Sequence, residues 1–341
     1  MSTKRVGVCI IGAGRAGSLH AKIYSEHISN SKVVAVVDAV QESAMGIAKE
    51  CGADWYINHE DALKRSDVDA VVISTPTFTH AKIAIDAAEA GKHIFCEKPM
   101  ALTLKEADEM IDAARRTDVK LQVGFMRRFD SEFQTAKLLI NEGAIGKPAI
   151  IKSTGRGPGL PPSWACDPAT SIGMLAEVNS HDFDSVRWLM GSEIKRVYAE
   201  AEAIAVPELR NKYPRFYDNA VVTLKLANGS LGLIDGSCPV KYGYDARVEV
   251  LGTDGVILIG EIKSKSILVC KKETGAYTST FPSWRDRFRD AYLEEDKHFI
   301  ECIIKDGKPF VSGEDGKAAL EAVLAATKSL EEAKPITLPL T

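Results

Sequence analysis

Apolar residues recur in two rhythms along this chain, and the change comes near residue 124. Before it, short, largely apolar runs alternate with stretches of helical period, at 6–11, 32–37, 54–57, 69–74, 92–96 and 120–124, the first of them continuous. Continuous apolar runs of this length suit strands covered on both faces, and strands separated by helices imply a doubly wound parallel sheet. Helical spacing is expected after residue 14 to about 27, over 79–90 and over 104–117.

Beyond residue 124 the rhythm becomes that of half-buried strands. A helix over 131–142 precedes alternating runs at 221–226 and 231–234, joined through Asn228-Gly229, a strong hairpin signal. The runs 247–251 and 256–259 flank Thr253-Asp254-Gly255 in the same manner, and helices over 286–305 and 314–333 close the chain. The fold class expected is α/β, with a doubly wound domain over 1–124 followed by an α+β domain over 125–341 on an open, largely antiparallel sheet. With no helices to spare for its second face, that sheet is expected to be covered by another subunit.

The first apolar run leads directly into Gly12-Ala13-Gly14-Arg15-Ala16-Gly17, which is G-x-G-x-x-G between a strand and a helix. Gly12 permits the tight turn, Gly14 lets a pyrophosphate approach the backbone, and Gly17 lets helix and strand pack closely. The helix N-terminus then offers free N–H groups to the phosphates. Asp38, ending the second run, stands at the spacing of a ribose partner, although an aspartate there also serves as a plain turn or helix cap. Its carboxylate would repel a 2′-phosphate, and neighbouring Ala39 and Val40 bring no compensating cation, so NAD is favoured over NADP. The first domain is thus read as a Rossmann domain.

Two further strand ends carry chemistry. Thr75-Pro76 and Glu97-Lys98-Pro99 close the fourth and fifth runs, at the carboxyl edge where open α/β sheets bind ligands. Proline after Lys98 ends the strand and restrains the lysine to an extended conformation. Taken alone, such a triplet is equally an ordinary surface turn. In the second half, a helix over 175–190 places Glu177, His181 and Asp184 at i, i+4 and i+7, opposite an apolar stripe. On spacing alone a solvated face accounts for them. Asp182, however, falls inside the stripe and needs hydrogen bonds if buried. The Gly/Pro-rich segment 155–171 around Trp164 would suit a wall over a pocket.

Charge narrows the partners. The 341 residues carry 43 Lys+Arg against 47 Asp+Glu, a net of −4 without blocks of one sign, which speaks against nucleic acid and membrane surfaces. No apolar run spans a bilayer and no signal-peptide pattern opens the chain, so a cytoplasmic protein is expected. Seven scattered cysteines without a C-x-x-C pair point to reduced thiols and no metal site.

Together, the N-terminal glycine motif, Glu97-Lys98-Pro99, Gly124-Phe125-Met126-Arg127-Arg128-Phe129 and Glu177-x3-His181-x2-Asp184 resemble the Gfo/Idh/MocA oxidoreductases over essentially the whole chain. The resemblance implies an open-faced C-terminal sheet that forms dimers, often tetramers, and implies that Lys98 and His181 converge on a substrate hydroxyl. Glu177 stands where the family usually has aspartate. The implied cofactor set is Gly12, Gly14, Arg15, Ala16, Gly17, Asp38, Thr75, Pro76, His80, Glu97 and Lys98. Candidates for holding the substrate, a sugar, inositol or related polyol, are Lys98, Arg127, Trp164, Asn179 and His181. An imidazole titrates near neutrality, which suits His181 as base. Glu177 or Asp184 would orient it, and Lys98 would stabilise developing alkoxide charge. Lys152, Arg156 and Arg127 could recognise an anionic substrate group or face solvent. The expected reaction is hydride transfer between a secondary hydroxyl and nicotinamide. Two alternatives are an NAD-assisted glycosidase working through a transient 3-keto sugar and a non-catalytic NAD-binding sensor.

Overall fold

A computed structural model describes residues 5–167, 169–273 and 275–340. By its contacts the chain divides into two compact units, residues 1–126 with 290–320 and residues 127–289 with 321–341. The expected boundary after Gly124 falls two residues from the first crossing. Residues 290–320, which the sequence reading assigned to the second domain, return to the first unit.

The first unit begins β1 (Val6–Ile11), α1 (Arg15–Glu26), β2 (Ser31–Val37), α2 (Gln41–Cys51), β3 (Asp54–Tyr56) and α3 (His59–Leu63). It continues with β4 (Ala70–Ile73), α4 (His80–Glu89), β5 (His93–Glu97), α5 (Leu104–Arg116) and β6 (Leu121–Gly124). The six strands are all parallel in the order β3-β2-β1-β4-β5-β6. Every residue of β1 and β4 is buried, which is why those runs carry no polar alternation. The order reverses between β1 and β4, so the crevice outside their carboxyl ends is the place for a dinucleotide.

The second unit opens with α6 (Ser131–Asn141), β7 (Pro148–Arg156), α7 (Ser163–Cys166), α8 (Met174–Glu177), α9 (Ser180–Met190) and β8 (Ile194–Glu202). The strands β9 (Asn219–Leu226), β10 (Leu231–Ser237), β11 (Asp245–Gly252) and β12 (Val256–Ile259) follow. Next come the small hairpin β13 (Val269–Lys271) and β14 (Gly275–Tyr277) and α10 (Trp284–Arg287), after which α11 (Arg289–Ile304) belongs to the first unit. The last elements are α12 (Gly313–Glu332) and β15 (Ile336–Thr337). The large sheet runs β12-β11-β7-β10-β9-β8-β15, with β7 and β10 its one parallel pair. In β9, Ala220, Val222, Leu224 and Leu226 are buried while Val221 and Thr223 are exposed. That period of two means one face of the sheet packs inward and the other does not.

One expected element does not form as a single piece. The helix anticipated over 175–190 is two helices, α8 and α9, separated at Val178 and Asn179. Asn179 sits at φ −96°, ψ 0°, outside the helical well, so the ladder restarts at Ser180. Glu177 and His181 are therefore not one turn apart on a common helix face. The expected helix over 286–305 likewise divides at Phe288 into α10 and α11.

Candidate active site

In the first unit the glycine turn has the shape of a phosphate cradle. A Cβ on Gly17 would stand 1.8 Å from the Gly12 carbonyl oxygen, so only glycine lets α1 pack there, whereas a Cβ on Gly14 would meet nothing within 4 Å. The backbone at Gly14 is thus open to a ligand, and no side chain caps the N-terminus of α1. Asp38 is turned towards this loop. Its Oδ2 accepts from the Ala13 N–H at 2.7 Å and its Oδ1 from the Val40 N–H at 2.8 Å, leaving lone pairs on a half-buried carboxylate for ribose hydroxyls. Open glycine backbone, bare helix terminus and poised acid fit a nicotinamide dinucleotide. Arg15 and Ala16, in the first turn of α1, complete the loop.

The carboxyl ends of β4 and β5 are tied together. The His80 ring lies 2.8 Å from the Pro99 carbonyl through Nδ1 and 2.9 Å from the Thr75 carbonyl through Nε2. It is 1% exposed, and burial pushes its pKa below the ordinary value against the pull of the two carbonyls. His80, expected at the cofactor, therefore braces the Thr75-Pro76 turn against the lysine turn. Thr75 also shares a 2.6 Å hydrogen bond with Thr79.

Glu97 is 6% exposed and likewise faces inward. One carboxylate oxygen accepts from the backbone N–H of Lys98 at 3.0 Å, and the other lies 3.2 Å from His20 Nε2. Burial alone would raise this carboxyl, but His20, the Lys98 charge and the Lys98 N–H hold it below the usual carboxylate range. Glu97 thus shapes the turn from beneath, and Lys98, half-buried, leaves the strand end from it.

In the second unit the helix α9 is anchored on the sheet by a buried polar network. Asp182, with no exposed surface, accepts from Arg127 Nη1 at 2.7 Å, Ser153 Oγ at 2.6 Å and Asn179 Nδ2 at 2.8 Å. The hydrogen bonds required of a buried Asp182 are all present. Asn179 also donates to the Gly155 carbonyl at 3.1 Å. Glycine is needed opposite: a Cβ on Gly155 would come within 2.1 Å of Asp182, and one on Gly236 within 2.3 Å of Asn179. Arg127 is 1% exposed, with Phe133 and Phe288 beneath its guanidinium. Arg127 and Asn179, expected to hold substrate hydroxyls, use these bonds to hold α9 on β7, while Arg127 Nε and Asn179 Oδ1 are buried without a hydrogen-bond partner among the described residues.

Asp184 is committed too. Arg128 grips it with two hydrogen bonds, of 2.9 Å from Nε and 2.6 Å from Nη2, which make it one half of a buried ion pair. Glu177, half-buried at the end of α8, accepts from Ser171 Oγ at 2.8 Å. His181 is 5% exposed in the first turn of α9, and Trp164 is half-buried in α7. Arg156 forms a two-point ion pair with Asp235, and Lys152 pairs with Glu249 at 2.8 Å, so neither cation faces solvent alone.

Residues 6–125 match the oxidoreductase family with an NAD-binding Rossmann fold, and residues 137–338 match its C-terminal alpha/beta domain. The chain belongs to the Gfo/Idh/MocA family. Among curated relatives, the myo-inositol 2-dehydrogenase of Thermotoga maritima is 36% identical over 335 residues, 98% of each chain. A scyllo-inositol 2-dehydrogenase (NAD(+)) of Bacillus subtilis is 35% identical over 338 residues, covering 98% of this chain and 96% of that one. The crystal structure of scyllo-inositol dehydrogenase from Lactobacillus casei with bound NAD(H) and scyllo-inositol superposes with a TM-score of 0.90. It is 27% identical and covers 98% of this chain and 99% of that one.

As a member of this family the protein is an NAD-binding oxidoreductase with a Rossmann domain and a mixed, mostly antiparallel second sheet. Two residues that sequence reasoning passed over belong to the setting of Lys98: His20 on α1 and Asp296 on α11. A signal for the first was present. Gly17, His20, Ala21 and Tyr24 share the buried face of α1, which places a histidine within an apolar stripe. Asp296 carried no such signal, because its partner lies 276 positions away.

Proposed function

We propose that this protein is an NAD-dependent dehydrogenase of a cyclitol or closely related polyol, oxidising one secondary hydroxyl to a ketone. The cofactor, when bound, supplies the hydride acceptor. His181 takes the hydroxyl proton as general base, and Lys98 donates a hydrogen bond to the same oxygen, stabilising its developing negative charge by about a few kcal/mol. Glu177 is the acid available to steady the His181 ring. Gly12, Gly14, Arg15, Ala16 and Gly17 bind the pyrophosphate, Asp38 the ribose, and Thr75-Pro76 borders the nicotinamide. Asp38 makes NAD the preferred cofactor over NADP. Trp164 remains the candidate wall of the substrate pocket.

The observation that carries this reading is the pairing of full-length similarity to inositol 2-dehydrogenases with a lysine at the carboxyl end of β5, on a turn built for it. The exposed face of the second sheet supports a homo-oligomer, dimer or tetramer. Val221 is 49% exposed, Leu231 47%, Leu251 42% and Leu258 70%, a run of apolar surface that water disfavours. Among the described residues no helix is long and apolar enough to cross a membrane. The seven cysteines are free thiols.

The test is an NADH-release screen over inositols, aldoses, uronic acids and aryl glycosides, with NAD and NADP in parallel. Net NADH from an inositol is the expected result. Aryl glycoside cleavage without net NADH would make the protein an NAD-assisted glycosidase. Tight NAD binding with no turnover of any polyol would make it a sensor.

A further inference from the structure

We propose that His20, held by Asp296, is a positioning residue for Lys98. A buried line of carboxylate, imidazole and carboxylate runs from α11 through α1 to the end of β5 and fixes the turn from which the lysine departs. This inference rests on the dehydrogenase reading above, in which Lys98 binds the reacting oxygen.

His20 Nδ1 lies 2.9 Å from both carboxylate oxygens of Asp296, and its Nε2 lies 3.2 Å from Glu97 Oε1. Glu97 Oε2 accepts the Lys98 N–H, so the line ends on the backbone of the lysine itself. Tyr24 donates to Asp296 at 3.2 Å, and the rings of Phe95 and Tyr292 wall the imidazole at 5.0 and 5.7 Å. A Cβ on Gly124 would stand 3.2 Å from the Glu97 carboxyl, a tight approach, so the bare strand next door eases the fit of that carboxylate.

Neither His20 nor Asp296 has any exposed surface. Burial alone would push the imidazole towards its neutral form, but Asp296 and Glu97 outweigh it and hold His20 protonated, well above its usual range. A carboxylate withdrawn from water stays ionised only beside a compensating charge. Without the His20 cation, Glu97 keeps only the Lys98 charge and N–H against the cost of burial, so its carboxylate is driven towards protonation or water and its hold on the Lys98 N–H weakens. His80 secures the other side by bonding the Pro99 carbonyl. A core histidine with a purely structural task would not need to end on the amide of the lysine.

The test compares full-length His20→Gln and Asp296→Asn, each alone and combined with Lys98→Met. Three quantities are read: NADH formation with enzyme in excess, NAD affinity, and acetylation of Lys98 relative to exposed Lys22 by peptide mass spectrometry. Positioning predicts that kcat falls about 10- to 100-fold while NAD affinity stays within about twofold. On the Lys98→Met background the same changes should cost less than about threefold, since the group they position is gone. Equal losses on both backgrounds, or NAD affinity falling in step with kcat, would overturn the proposal. Asp296→Asn keeps the side-chain shape and one acceptor, so it carries the comparison if His20→Gln does not accumulate. The Lys98 to Lys22 labelling ratio needs no substrate and should change by about threefold or more. An unchanged ratio refutes the role of His20, whereas a wild type that oxidises no polyol refutes only the dehydrogenase reading.

Discussion

Asp182 offers the sharpest trial of how the second unit is held together. It accepts three hydrogen bonds with no exposed surface, and its ion-pair partner Arg127 is itself only 1% exposed. Asp182→Asn keeps the shape but strips from that guanidinium the carboxylate it is paired with. Breaking a buried pair from one side costs about 3–5 kcal/mol, because the remaining charge cannot be rehydrated in place. The new amide also turns an N–H towards the Asn179 amide that now donates to Oδ2. Against a total stability of about 5–15 kcal/mol, the loss is about a fifth or more. Asp182→Ala goes further by orphaning the Ser153 and Asn179 donors at about 1–3 kcal/mol each, and should not accumulate as folded protein. Urea unfolding followed by tryptophan fluorescence reads the difference as a shifted midpoint at constant slope. Arg127→Met combined with Asp182→Asn, which removes the stranded charge while leaving an acceptor for Ser153, should recover much of the loss. If Asp182→Asn lies within about 1 kcal/mol of wild type, the pair behaves like a solvated surface bridge and the reasoning fails.

Lys98→Met and His181→Asn should each lower kcat by about 100-fold or more while NAD affinity changes little, and near-normal turnover in either removes that residue from the mechanism. Gly14→Val should weaken NAD by about tenfold or more with an unchanged melting temperature, since its side chain enters the open cradle, whereas Gly17→Val strikes the Gly12 carbonyl and should lower the melting temperature itself. Asp38→Ala with Val40→Arg should move the NAD to NADP ratio of kcat/KM towards NADP by about 100-fold, and an unmoved ratio would show that Asp38 does not read the ribose. Because the folded pKa of His20 is raised, its stabilising contribution is full below the unfolded value of about 6.5 and fades as pH rises through the folded value. Wild type should therefore exceed His20→Gln in stability most at acidic pH, and a gap that widens with alkalinity contradicts the assignment.

Much of the first unit was legible because its signals are local. The run Val6–Ile11 carries its double burial in unbroken apolar residues, and the glycine loop, Asp38 and the two strand-end turns follow from spacing within a few dozen positions. The second unit was less so. The spacing of Glu177, His181 and Asp184 suggested one helix face, yet the chain breaks at Asn179 because that residue is drawn to the Gly155 carbonyl and to Asp182. Periodicity does not register a hydrogen bond made across to another strand. For the same reason Arg127 looked available to a substrate until its partner, 55 residues on, was placed beside it.

The chain's order of residues by itself determined the succession of strands and helices in the Rossmann half, the nucleotide-binding turn, the family resemblance, and the lysine and histidine on which the chemistry is proposed to rest. Tertiary structure alone decided which polar groups are spent. Asp296 meets His20 across 276 positions, Arg128 takes Asp184, and α11 returns to the first unit. Local patterns arise from neighbours in sequence, whose backbone and side-chain preferences act at once. The pairing of buried charges depends on distances that exist only after the chain has folded back on itself, where the low polarity of the interior makes each pairing obligatory.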